Sequence, residues 1–281
     1  MSLVWLITGT SSGFGHEFVT QALDRGDKVI ATARNISKIS NLKQLGAEIM
    51  ELDVTSPQAE LNTKAAEAVS FFGRIDVLVN NAAYTQFGFL EDMSEDDYVK
   101  QFTTNVFGTI NTTRAFLPHF RSRRAGTVVN IGSMSAWETY PGVGAYSASK
   151  AALRYATDAL GQEVASLGVK TLLVEPGQFR TELLSSRNSM FVETDIAEYK
   201  EVASATFDAF RKVHGNQRGD PAKGVARIIE VVRGENEAAG RVWPKDLALG
   251  PDAVAVIRRK CEETLRSLAE WEDLSTGTDF V

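Results

Sequence analysis

The stretch "AYSASKAAL" (145–153) places Tyr146 four residues before Lys150, with only small side chains between them. On a helix, positions i and i+4 share a face. An ammonium next to a phenol favours the phenolate, because opposite charge stabilises the ionised form. The pair could therefore trade a proton near neutral pH, or it could be an ordinary contact on a helix surface. A second segment, "LITGTSSGFG" (6–15), puts Gly9, Gly13 and Gly15 at the junction of an apolar run and a helical pattern. Glycines there let a phosphate approach without meeting a Cβ atom, and the following helix offers free amides and the positive end of its dipole. That combination suits a dinucleotide pyrophosphate. It is not a P-loop, since no G-K-[ST] follows.

The end of the second apolar run bears on which dinucleotide. An NAD site carries a carboxylate about 20 residues past the glycines, to hold the ribose 2′-hydroxyl. Here the run is "IATARN", with Ala33 at that place and Arg34 next to it. A guanidinium fits an adenosine 2′-phosphate, so the expectation is NADP(H) over NAD(H). The competing reading of Arg34 is a solvated loop cation.

Elements must position these residues. The runs 3–8, 28–33, 47–54, 75–82, 127–132 and 169–175 are short, β-branched and nearly continuously apolar, as in strands covered on both faces. Helical spacing fills 14–25, 57–72, 95–122 and 146–167. Strand–helix alternation implies right-handed βαβ units. The expected fold is α/β, a single-domain Rossmann-type doubly wound parallel sheet over 1–281 with helices on both faces. Residues 183–218 break the rhythm with a serine-rich stretch and then a helical segment carrying Met190, Phe191, Tyr199, Phe207 and Phe210. A long excursion after a strand is a usual place for a substrate lid, and an extra packing helix is the alternative. Another helix is expected over 222–234 and a last strand within 240–250. Residues 251–281 form a charged C-terminal helical extension.

Composition narrows the classes. Of 281 residues, 43% are hydrophobic and 23% charged, and the net charge is −6. That balance suits a globular protein and argues against a nucleic-acid binder, which shows a basic footprint. His16, His119 and His214 lie far apart, without metal-ligand spacing, so no metal is expected. The single cysteine, Cys261, allows no intrachain disulfide and fits a reducing, cytoplasmic compartment. No signal-peptide pattern precedes the first strand, and no apolar run reaches the ~18 residues of a membrane span.

The motifs "TGTSSGFG", "NNAA" (80–83), Asn105, Ser133, Tyr146-x-x-x-Lys150 and "PGQFRT" (176–181) occur in the order seen in classical short-chain dehydrogenases/reductases, which residues 3–181 resemble closely. The tail resembles, more loosely, a 17β-hydroxysteroid and retinol dehydrogenase-like subgroup. The resemblance implies that Tyr146 is the general acid in reduction and the base in oxidation. Lys150 would lower the tyrosine pKa and hold the nicotinamide ribose, and Ser133 would hydrogen-bond the substrate oxygen. Asn105 would hold a water in a proton relay from Lys150. Gly9, Ser11, Ser12, Gly13, Phe14, Gly15 and Arg34 would line the phosphates. Asp53 and Val54 would flank the adenine, with Asn80 and Ala82 beside the adenosine-side ribose. Pro176, Gly177, Phe179 and Thr181 would surround the nicotinamide. Ala83 departs from the family's usual N-N-A-G, and its methyl could perturb the loop beside the cofactor.

These residue types suit carbonyl chemistry. Charge grows on oxygen as hydride reaches carbon, so one group must give a proton and another must hydrogen-bond the oxygen. The segments 84–93, 137–144 and the lid are aromatic and apolar, which points to a bulky apolar ketone, aldehyde or secondary alcohol; a purely structural core is the competing reading. A non-catalytic NADP(H)-sensing regulator and an epimerase on the same scaffold are the alternative functions. The family resemblance implies a homodimer or homotetramer through the helices at 95–122 and 146–167.

Overall fold

The computed structural model describes residues 2–280. Its strands are β1 (Val4–Ile7), β2 (Lys28–Ala33), β3 (Glu48–Glu51), β4 (Val77–Asn80), β5 (Thr85–Phe87), β6 (Gly126–Ile131), β7 (Val169–Pro176), β8 (Ser189–Phe191) and β9 (Asp246–Leu249). The helices are α1 (Gly13–Asp24), α2 (Ser40–Gln44), α3 (Gln58–Phe72), α4 (Glu95–Phe102), α5 (Thr109–Arg123), α6 (Gly144–Val164), α7 (Lys200–Val213), α8 (Pro221–Arg233) and α9 (Pro251–Ser275).

Seven strands form one sheet in the order β3-β2-β1-β4-β6-β7-β9, and every pairing in it is parallel. Successive residues of β1 explain its unbroken apolar run. Trp5 and Ile7 join a core with α1 and α8, while Val4 and Leu6 join a second core with α3 and α5. A strand covered on both faces has no polar side to show. The chain reverses its winding between β1 and β4, and the cleft opens at the carboxyl ends of these strands, the usual place for a ligand in an open α/β sheet.

Two features depart from the expected elements. The span 95–122 is not one helix. Ser94 and Asp97 form a capping box that starts α4, and a π-helical turn over 103–108 separates it from α5. Such wide turns cluster at functional sites, and this one carries Asn105. Within the expected lid, Met190 and Phe191 are strand rather than helix. β8 pairs in parallel with β5, so that Phe87 lies opposite Phe191. Three residues per strand are too few to show a period, and the pairing is decided by the edge that β5 offers. Among the described residues, no helix is long and apolar enough to cross a membrane.

Candidate active site

The loop between β1 and α1 is shaped for close approach. Gly9 and Gly13 have φ of 68° and 53°, the left-handed region that glycine enters without steric cost. Gly15 serves a different purpose: a Cβ there would stand 2.3 Å from Gly9 O, so its role is packing rather than ligand contact. Ser12 precedes α1 without giving a side-chain cap, which leaves the first-turn amides available to an anion. Gly9, Ser11, Ser12, Gly13 and Phe14 open onto a cavity of about 810 Å³. Thr8 and Asn81, which sequence reasoning missed, hold this loop. Asn81 Nδ2 donates to Thr8 O at 2.9 Å and to Gly9 O at 3.0 Å, and Thr8 Oγ1 accepts from the amides of Asn81 and Ala82. The second asparagine of "NNAA" was the available signal.

The other expected cofactor residues divide. Arg34, Asp53, Val54, Ala82, Pro176, Gly177, Phe179 and Thr181 all line the cavity. Arg34 is exposed, just past the end of β2. Asp53 turns its carboxylate to the Thr55 amide and hydroxyl, at 2.9 and 2.8 Å. Phe179 packs edge-on to Phe14 with centroids 5.1 Å apart, bringing "PGQFRT" against the glycine loop. Asn80, in contrast, is buried, and its Nδ2 donates to Thr113 Oγ1 and Asn130 Oδ1 at 2.9 and 2.8 Å. Its side chain bolts the sheet to α5 and does not reach the cleft. Ala83 lines the cavity without a positive φ, so the methyl in the usual glycine position brings no backbone strain.

At the far end of the cavity, α6 presents Tyr146 and Lys150 on one face beside Ser133, which lies just after β6. The Tyr146 phenol and the Ser133 hydroxyl line the same cavity, and Ser133 Oγ accepts from the Ser135 amide at 3.0 Å. Lys150 Nζ donates to Ile131 O at 2.7 Å. Both α6 residues are buried. Burial pushes the Tyr146 phenol up to about 12, against the neighbouring Ser133 hydroxyl, which draws it down. Burial likewise takes Lys150 down to about 8. Desolvation, and not the expected pull of Lys150, sets the phenol's shift. The ammonium is aimed at a backbone carbonyl, and the phenol sits in an apolar cluster with Phe87, Val143 and Phe207.

Asn105 stands behind this face. Its Nδ2 donates to Tyr84 O and Ser149 Oγ, its Oδ1 accepts from the Tyr84 amide, and Ser149 Oγ in turn donates to Tyr146 O at 2.7 Å. The side chain is therefore committed to holding α6 and the 84–87 segment. The wall beside Tyr146 is aromatic: Phe87 stacks on Phe191 at 4.6 Å and lies 4.8 Å from Phe210. Phe191, Phe210 and Met190 line the cavity, whereas Phe207 is core.

A glycine-rich loop and the Ser133, Tyr146 and Lys150 side chains line one cleft of a doubly wound parallel sheet. The chain belongs to the short chain dehydrogenase family, whose model matches residues 3–208. It is 36% identical to Oxidoreductase BOA17 of Botryotinia fuckeliana over 99% of this chain and 100% of that protein. A short-chain dehydrogenase structure from Streptomyces avermitilis is 39% identical, superposes with a TM-score of 0.87 and covers 99% of this chain and 98% of that one. The structure of ElxO with NADP bound is 27% identical, with a TM-score of 0.72 over 91% of this chain and 100% of that one.

Proposed function

We propose that the protein is an NADP(H)-dependent oxidoreductase that interconverts a carbonyl and an alcohol on a bulky, largely apolar small molecule. The observation that carries this reading is that Ser133, Tyr146 and Lys150, all buried, line the same cleft as the glycine loop. When bound, the dinucleotide supplies hydride to, or accepts it from, the substrate carbon.

The chain's own groups handle the proton. In reduction, Ser133 hydrogen-bonds the substrate oxygen and Tyr146 gives it a proton as charge builds there. A phenol held at a raised pKa stays protonated at neutral pH and is ready as an acid. Lys150, anchored on Ile131 O, offers its remaining N–H groups to ribose hydroxyls and a positive charge to the phenolate left behind. The π-helical turn at Asn105 gives Tyr84 and α6 a fixed relation, which keeps Tyr146 aimed into the cleft. Oxidation runs the same transfers in reverse. Arg34 supports NADP(H): it lines the cavity just past the end of β2, where its guanidinium would pair with a 2′-phosphate, and Ala33 puts no carboxylate beside it. The walls formed by Phe87, Phe191, Phe210 and Val143 favour apolar substrates.

The test is initial rates on a panel of aromatic, alicyclic and long-chain ketones and aldehydes with NADPH. Turnover should fall by about 10²–10⁴ in Tyr146→Phe while NADPH still binds; near-normal turnover by that variant would overturn the assigned role.

A further inference from the structure

α9 stands apart from the body. Asp252 anchors its start by accepting the Gln178 amide, Ala253 is buried, and Arg259 pairs with Glu138. Beyond that, residues 260–275 are exposed throughout, a projection of roughly 24 Å at 1.5 Å per residue. Leu265, Leu268, Trp271 and Leu274 are large apolar side chains open to solvent on it. Helices of this kind draw most of their stability from packing an amphipathic face.

The pattern is a heptad seam. Val254, Cys261 and Leu268 recur every seven residues, Ile257, Thr264 and Trp271 interleave with them, and Arg258, Leu265 and Glu272 run along one flank. We propose that α9 pairs antiparallel with α9 of a second copy of this chain, about a two-fold axis passing beside Leu265. Charge selects both the partner and the direction. Arg258 and Glu272 lie seven residues to either side of Leu265, so a two-fold there sets Arg258 against the partner's Glu272, twice. The same operation brings the basic run 258–260 against the acidic run 270–273 and covers Cys261 with the partner's Trp271. A parallel pair would instead face Lys260 with Leu265 and Ser267 with Glu272, and would gain no opposite charges. The seam is therefore self-complementary in one orientation, as a two-fold interface requires. An anionic membrane surface suits it less: Arg258, Arg259, Lys260 and Arg266 are outnumbered by Asp252, Glu262, Glu263, Glu270, Glu272 and Asp273.

Light scattering with size exclusion on the full chain tests this, with carbonyl reduction as the control for folding. Leu268→Glu should remove one two-fold step, tetramer to dimer or dimer to monomer. Arg258→Glu should weaken that step at least about tenfold, and adding Glu272→Arg should restore it. In a Cys261→Ser background, Leu265→Cys should cross-link with a short bis-maleimide. The native Cys261 pair, about 12 Å apart along the seam, should not form a disulfide. An unchanged mass for Leu268→Glu, failure of the double reversal to restore assembly, or Cys261–Cys261 disulfides would overturn it. So would a monomer that sediments with phosphatidylserine vesicles.

Discussion

The Lys150 ammonium lies 5.7 Å from the centroid of the Tyr146 ring, one helical turn along α6. Both groups are buried, and burial moves them in opposite directions: the phenol holds its proton more tightly, the ammonium more loosely. The site thus keeps a poor base and a costly cation together, an arrangement that favours proton donation over stability.

That cost is measurable. Lys150 has a folded value of about 8 against 10.5 in the unfolded chain. The folded state binds fewer protons between these values, so the penalty is full below pH 8 and fades as pH rises toward 10.5. The difference corresponds to about 3 kcal/mol. Lys150→Met also loses the bond to Ile131 O, which offsets about 1 kcal/mol. Urea unfolding should find Lys150→Met inactive but more stable by about 2 kcal/mol at pH 7, with the advantage shrinking by pH 9.5.

Arg34→Asp should reverse cofactor choice. A carboxylate there repels a 2′-phosphate and can accept from a ribose hydroxyl. The ratio of kcat/KM with NADPH to that with NADH should fall by about 10–100-fold, the worth of one charged hydrogen bond. Tighter binding of NADH than NADPH by the unmutated protein would refute the assignment to NADP(H).

Gly15→Ala tests the packing role of the third loop glycine. Its Cβ would overlap Gly9 O, and that backbone oxygen is held by Asn81. Overpacking of this kind costs about 1–3 kcal/mol, and the forced shift of the loop should raise the NADPH dissociation constant in a fluorescence titration.

Arg154 and Glu175 form an ion pair at 2.8 Å behind the Ser133 turn, with Trp137 Nε1 also donating to the carboxylate. The Glu175 side chain is only 1% exposed, and burial already raises its pKa. Arg154→Met strands that charge and should cost about 3–5 kcal/mol at pH 7. The deficit should shrink as pH falls toward 4.5, where the carboxyl protonates folded or unfolded. Arg154→Met/Glu175→Leu should recover much of the loss, and denaturant midpoints across pH distinguish these outcomes.

Adjacent residues in the chain illustrate what was legible. Asn80 and Asn81 look alike in "NNAA", yet one is tied to Thr113 and Asn130 inside the sheet and the other grips the glycine loop. Because side chains alternate along a strand, one residue of register exchanges the two roles. Gly9 and Gly15 are likewise both glycines of one motif, but one opens onto the cleft and the other lies tight against the Gly9 backbone and the Asn81 side chain.

By itself the sequence determined the relations that span a turn or a strand: the unbroken apolar runs that demand cover on both faces, the glycines that free a helix start, and the four-residue step from Tyr146 to Lys150. Each depends on a local period that backbone geometry dictates. The tertiary structure alone decided how deeply the phenol is buried, that Asn105 sits in a π-turn with its amide already used, that Phe87 meets Phe191 across two short parallel strands, and that α9 leaves the body with an open seam. Those outcomes depend on contacts between segments far apart in the chain, or on the lack of them, and no local period encodes which distant surfaces will meet.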